Sequence, residues 1–147
     1  MIRDQIFISY SHKDQDLVDQ LLTHLKPLCR SGAITVWSDH QIRPGSKWQD
    51  EITAALARTK VALLCVSKDF LASDFINDHE LTPMLVESNR GGVTILWVLL
   101  RACLFKESPL SKYQSALSPD KPLAEMKAER DRAWVAICQA ILNALHP

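Results

Sequence analysis

Ser9, Tyr10, Ser11 and His12 follow directly on Ile6-Phe7-Ile8, so an apolar, strand-forming run stops on hydroxyls and an imidazole and passes through Lys13-Asp14 into a helical pattern. In an open parallel α/β sheet, ligands sit outside the carboxyl ends of the strands, so a strand ending in Ser-Tyr-Ser sets polar groups at the functional edge. Ser11 has a second reading, as the N-cap of the following helix with Asp14 three residues on. Both readings of Ser11 stand on the sequence.

Other chemistries are excluded by what the chain lacks. Its four glycines, Gly32, Gly45, Gly91 and Gly92, form neither G-x-G-x-x-G after the first strand nor G-x-x-x-x-G-K-[ST], which removes dinucleotide Rossmann and P-loop sites. A phosphoacceptor regulator needs acidic residues after the first strand and an Asp ending the third, where this chain has Ser9-Tyr10-Ser11 and Val66-Ser67. Cys29, Cys65, Cys103 and Cys138 show no zinc spacing and read as small buried hydrophobes, so no metal site is expected.

The elements that must position the edge are legible as alternating runs. Ile6–Tyr10, Val61–Val66 and Val93–Leu100 read as buried strands, and Ile34–Trp37 as a shorter one. Between them Leu17, Leu21, Leu22, Leu25 and Leu28 recur at helical spacing, as do Trp48, Ile52, Ala55 and Leu56; Trp134, Ile137, Ile141 and Leu145 mark a last helix. Such βαβα alternation predicts a parallel sheet with helices on both faces. A fifth strand is expected near Tyr113–Leu117, in a stretch made loop-rich by Pro109, Pro119 and Pro122.

At 147 residues the chain reads as one domain over 1–147, large enough to bury about 68 to 70% of the surface its unfolded form exposes; any fused partner domains lie outside it. Lys plus Arg and Asp plus Glu each number 17, for a formal net charge of +0, and no basic block stands out. Nucleic acid and membrane are therefore not expected partners, and near-zero charge permits self-association. Ile2-Arg3-Asp4 leads straight into the first strand, leaving no room for a signal peptide, and no apolar run reaches membrane-spanning length. A reducing, cytoplasmic setting is expected.

Three segments in order carry a family resemblance: Phe7-Ile8-Ser9-Tyr10-Ser11; Trp37-Ser38-Asp39-His40-Gln41-Ile42-Arg43-Pro44-Gly45-Ser46-Lys47-Trp48; and Ser73-Asp74-Phe75-Ile76-Asn77-Asp78-His79-Glu80-Leu81. Together they resemble the Toll/interleukin-1 receptor (TIR) domain, bacterial members above all, over nearly the entire chain. The resemblance implies a flavodoxin-like three-layer sandwich with a five-stranded parallel sheet and helices on both faces. It also implies assembly with other TIR domains through the second-strand loop at Arg43, Pro44 and Gly45. In many bacterial and plant members it implies cleavage of NAD⁺ to nicotinamide and ADP-ribose or a cyclised form, with NAD⁺ as substrate and no cofactor. The catalytic glutamate of such members falls on Glu80.

Around Glu80 the resemblance points to Tyr10, Ser11, His12, Asp39 and Trp48 as substrate-binding residues. Trp48 can stack a nicotinamide or adenine ring, or begin the core stripe of Ile52 and Ala55. Lys47 can meet a phosphate or stay solvated. Many catalytic members carry an aromatic residue four positions before the glutamate, where this chain has Ile76. Phe75 would point roughly 140° from Glu80 on a regular helix. Either Phe75 swings in, a route that Pro83 keeps open by disturbing the preceding turn, or the pocket floor is the aliphatic Ile76. The functions that follow are an NAD⁺ glycohydrolase or cyclase of a bacterial immune system activated by self-assembly, or a non-catalytic TIR–TIR interaction module. A third is a domain that makes or degrades a nucleotide signal read elsewhere.

Overall fold

A computed structural model describes residues 2–38 and 47–147. Four strands, β1 (Gln5–Ser9), β2 (Thr35–Trp37), β3 (Thr59–Val66) and β4 (Thr94–Leu99), form one sheet in the order β2-β1-β3-β4, every pair parallel. Each crossover carries helix: α1 (Gln15–Arg30), α2 (Trp48–Arg58), then α3 (Lys68–Ala72), α4 (Asp74–Ile76) and α5 (Thr82–Asn89), with α6 (Arg130–Leu145) last.

Strand periodicity sorts the core into two layers. Ile6, Ile8 and Tyr10, with Val61, Leu63, Cys65, Leu96, Val98 and Leu100, pack against α1 and α6. Their neighbours Phe7, Ala62, Leu64, Val66, Ile95, Trp97 and Leu99 pack against α2 and the α3–α5 region. Successive side chains of a strand point to opposite faces, so a strand covered on both sides must be apolar along its covered length, as residues 6–8 of β1, 61–66 of β3 and 95–99 of β4 are. The stripe of α6, Trp134, Ile137, Cys138, Ile141 and Leu145, is buried as its spacing predicts, and the Trp134 indole donates to Gln20 Oε1 of α1 at 3.1 Å.

The expected five-stranded sheet is overturned: among the described residues the sheet has four strands. Tyr113–Leu117 supplies one parallel bridge, Trp97 to Ser115, in which Ala116 N–H donates to the Trp97 carbonyl at 2.8 Å. The Trp97 indole donates to the Tyr113 carbonyl, also at 2.8 Å, and pins the same stretch. Pro109 opens a 3₁₀ turn over Pro109–Lys112, and Pro119 and Pro122 follow within a few residues. Proline cannot donate to a ladder and fixes its own φ, so pairing dies after one step.

The cysteines divide. Cys65 and Cys138 are buried as expected, whereas Cys29 is exposed at the end of α1 and Cys103 is half-buried; all four are free thiols. No group of metal-binding side chains occurs among the described residues. Nor is any described helix long and apolar enough to cross a membrane.

Ile137→Ala, at a position with 0% exposure, should lower unfolding free energy by about 2 to 5 kcal/mol. Val135→Ala, two residues away and 58% exposed, should stay within about 0.5 kcal/mol of the parent in the same urea titration.

Candidate functional site

The carboxyl edge of the sheet is organised by a carboxylate the sequence reading assigned to helix capping. Ser11 does cap, its hydroxyl accepting from Lys13 N–H at 3.3 Å at the start of a 3₁₀ turn, His12–Asp14. Asp14 instead turns inward and is fully buried. Ser67, just after β3, donates its hydroxyl to Asp14 Oδ2, while Arg101, just after β4, donates Nε to Asp14 Oδ1 at 2.9 Å. The other arm of Arg101 reaches Asp16 at 3.1 Å. Hydrogen bonding to Asp14 is the main cause raising the Arg101 pKa, so this cation stays charged. The Ser67 hydroxyl also accepts from Phe70 N–H at 3.1 Å and so caps α3.

This arrangement has a chemical consequence for the nearby thiols. Burial first, and the Asp14 charge second, push the Cys65 thiol far above its ordinary value. Cys103 is raised chiefly by burial, with a backbone hydrogen bond from Phe105 opposing and Asp14 adding. Neither supplies a thiolate nucleophile at neutral pH.

Glu80 lies in a π-helical turn, Asn77–Leu81, between α4 and α5, and is fully buried. The turn closes through Thr82 N–H on the Asn77 carbonyl, five residues back. Pro83 explains it: a proline ring collides with the carbonyl four residues earlier in an α-helix, and the wider π turn removes that collision. Ser73 starts the run by accepting from Ile76 N–H at 3.2 Å. Ser9, at the end of β1, is also fully buried, and its hydroxyl has no hydrogen-bond partner among the described residues. By strand alternation Ser9 shares the Phe7 face, the face that the α4–α5 run covers.

Phe75 does not pack beside the core. It is half exposed and joins Trp48 and His79 in a triangle of rings with centroids 5.0 to 5.1 Å apart. Trp48 is thereby held outside the core, where Ile52 and Ala55 carry the buried stripe of α2. Ile76 is buried among Phe7, Trp37 and Met84. Tyr10 is buried, donates its hydroxyl to Gln15 Oε1 at 2.9 Å and lies 5.7 Å from the His12 ring. Lys47 is exposed ahead of α2. Asp39, Arg43, Pro44 and Gly45 lie outside the described residues. The structure therefore gathers Trp48 with Phe75 and His79, and Tyr10 with His12. Asp14, Ser67 and Arg101, which the sequence reading missed as a group, share one signal: each is a polar residue at or soon after the end of an apolar strand.

These features define a doubly wound parallel α/β domain whose polar groups collect at the carboxyl edge of its strands. Residues 6–136 match the family model described as the TIR domain. The chain belongs to the TIR domain family. It is 32% identical over 139 residues to an uncharacterized protein, y4lF, of Sinorhizobium fredii, covering 95% of this chain but 43% of that protein. Among solved structures it is similar to the TIR domain of the Toll-related receptor TRR-2 of Hydra magnipapillata, with TM-score 0.64 and 17% identity, covering 98% of this chain and 99% of that one. It is also similar to a TIR-STING receptor of C. gigas, with TM-score 0.56 and 14% identity over 99% of this chain and 41% of that one. The TIR domains of the Roq1 resistosome give TM-score 0.53 and 15% identity over 97% of this chain and 83% of that one. At these identities the structural matches establish the fold.

Arg101→Ala leaves the Asp14 charge fully buried without its cation and should cost about 3 to 5 kcal/mol of stability in guanidinium unfolding. Asp14→Asn should cost less, because Arg101, 36% exposed, can turn to water.

Proposed function

We propose that this chain is an NAD⁺-cleaving TIR domain, acting as a single domain within a longer defence protein, with Glu80 as its catalytic residue. The observation that carries the reading is the full burial of the Glu80 carboxyl on a π turn between α4 and α5, in the crossover that follows β3. Burying a carboxylate is costly in a purely structural role, and π turns occur often at functional sites. The side chain faces away from bulk water, as a group meant for a desolvated ribose must.

One carboxylate suffices for this reaction. Nicotinamide leaves NAD⁺ as a neutral molecule from a positively charged pyridinium, so no acid is needed at the leaving group, unlike the sugar alkoxide that a glycosidase must protonate. The remaining demand is to stabilise oxocarbenium character on the ribose, and an ionised Glu80 beside the ribose supplies charge where it develops. Water attacking that intermediate gives ADP-ribose; an adenine nitrogen gives a cyclic product. Tyr10, Ser11, His12, Asp39, Lys47 and Ile76 are proposed to line the substrate site, with Trp48 as the stacking ring.

Because Glu80 has 0% exposure, NAD⁺ reaches it only when its cover moves, so the isolated chain is a resting form in this proposal. Assembly through Arg43, Pro44 and Gly45 is proposed to open it. The relatives favour a defence setting: one is a Toll-related receptor, and another belongs to a resistosome that recognises a pathogen effector. A second reading, the non-catalytic interaction module, is favoured by Ile76, an aliphatic residue buried where catalytic relatives carry a ring.

At high protein concentration the parent should release nicotinamide, and Glu80→Gln, which keeps the side-chain shape, should reduce the rate by about a hundredfold to a thousandfold. Equal rates for parent and variant, both shown folded by circular dichroism, remove the enzymatic reading. Paired Pro44→Ala and Gly45→Ala changes should abolish concentration-dependent turnover. If they abolish self-association while nicotinamide release is undetectable in parent and variant alike, the interaction module is the surviving function.

A further inference from the structure

Helix α5 is eight residues long and buries one side chain, Met84, where α6 buries six. It has no side-chain N-cap, and a helix shorter than about 12 residues is marginal without tertiary support. Helix α2 does not close on it: the two stand apart over the Phe7 face and leave a groove of about 840 Å³ walled by Ile52, Leu56, Met84 and Val93. A short helix with one buried anchor and open space beside it belongs to the low-stability end of a fold.

Among the described residues, one side-chain hydrogen bond leaves α5 for another part of the chain. Arg3 Nη2 donates to Glu87 Oε2 at 2.9 Å, while Nη1 donates to the carbonyls of Leu56 and Thr59 at 3.0 Å each. A single guanidinium thus ties α5 to the end of α2 and the start of β3. The segment that carries Arg3 is itself fastened to α2, through Asp4 N–H on the Arg58 carbonyl at 3.0 Å and Arg58 Nη2 on Asp4 Oδ1 at 3.0 Å. Gly92 makes room for the tie, since a Cβ there would lie 3.3 Å from both Arg3 Nη2 and Glu87 Oε2. At its other end α5 continues directly from the π turn that carries Glu80, so a shift of α5 moves that turn.

We propose that the Arg3–Glu87 pair is an autoinhibitory clasp: it holds α5, and with it the Glu80 turn, in the closed position, and its release lets α5 move into the groove beside α2 and uncover Glu80. Its effect on turnover rests on the reading of Glu80 as catalytic, whereas its hold on α5 does not. Arg3 and Glu87 touch no substrate and act through the helix.

Glu87→Ala removes the clasp while raising the intrinsic helix propensity of α5, so any loosening comes from the lost tie. By hydrogen exchange, the amides of Thr82, Leu85 and Val86 should exchange about three- to tenfold faster in that variant, while those of Ile137 and Ile141 in α6 keep the parent rate. Nicotinamide release at low protein concentration, where the parent is at rest, should rise by a similar factor. Arg90→Ala, which removes only the exposed partner of Glu87 three residues on, should match the parent in both measurements. Unchanged α5 exchange, a rise shared equally by α6, or faster exchange with no gain in a measurable turnover would each overturn the clasp. Faster α5 exchange with no nicotinamide release from any of the three proteins would uphold the hold on α5 and remove the NAD⁺ reading instead.

Discussion

The ion pair between Asp14 and Arg101, with the Ser67 hydroxyl on the second carboxylate oxygen, joins the carboxyl ends of three adjacent strands, β1, β3 and β4, through one buried acid. Taking the Asp14 charge out of water costs several kcal/mol, and the pair survives because its hydrogen bonds are well formed and Arg101 keeps contact with solvent. Apolar side chains could hold the three strand ends together as firmly. They could not hold them in one register, since apolar contact is non-directional and a hydrogen bond is not. Our hypothesis is that this directionality is the reason for the pair; replacing all three residues by apolar ones and finding an unchanged, uniquely folded edge by NMR would refute it. The position of the Ser11 turn, the cap of α3 and the environment of Cys65 all follow from where Asp14 sits.

From that tie the rest of the edge is positioned by alternation. Tyr10 falls on the α1/α6 face and Ser9 on the face of α2 and α5, because successive strand residues oppose each other. One polar strand end thus serves two layers. Tyr10 settles its hydroxyl on Gln15, which in turn donates to Asp19 at 2.7 Å. Ser9 settles on nothing described, and a buried hydroxyl left without a partner costs about 1 to 3 kcal/mol.

Where local pattern and tertiary structure agree, the chain was readable. The apolar runs of β1, β3 and β4 and the stripes of α1 and α6 are dictated by burial on one face or two, which periodicity records. The fifth strand was misjudged because Tyr113–Leu117 has strand-like residues but lies amid prolines that forbid a ladder. The Asp14 group escaped notice because its three members are far apart in sequence and Asp14 reads locally as part of a helix cap. Cys29 was placed inside on residue type alone, although it falls on the exposed side of α1 near its last turn. The ring triangle was half visible. Trp48 stood out, but its joining Phe75 and His79 depends on the bend introduced ahead of Pro83.

That bend links helix geometry to chemistry. Had residues 74–89 formed one regular helix, Pro83 would have strained it, and the side chains of Phe75, Ile76 and Glu80 would have been spaced by the ordinary repeat. The π turn inserts its wider step immediately before the proline, sending Phe75 to the surface rings, Ile76 to the core and Glu80 inside.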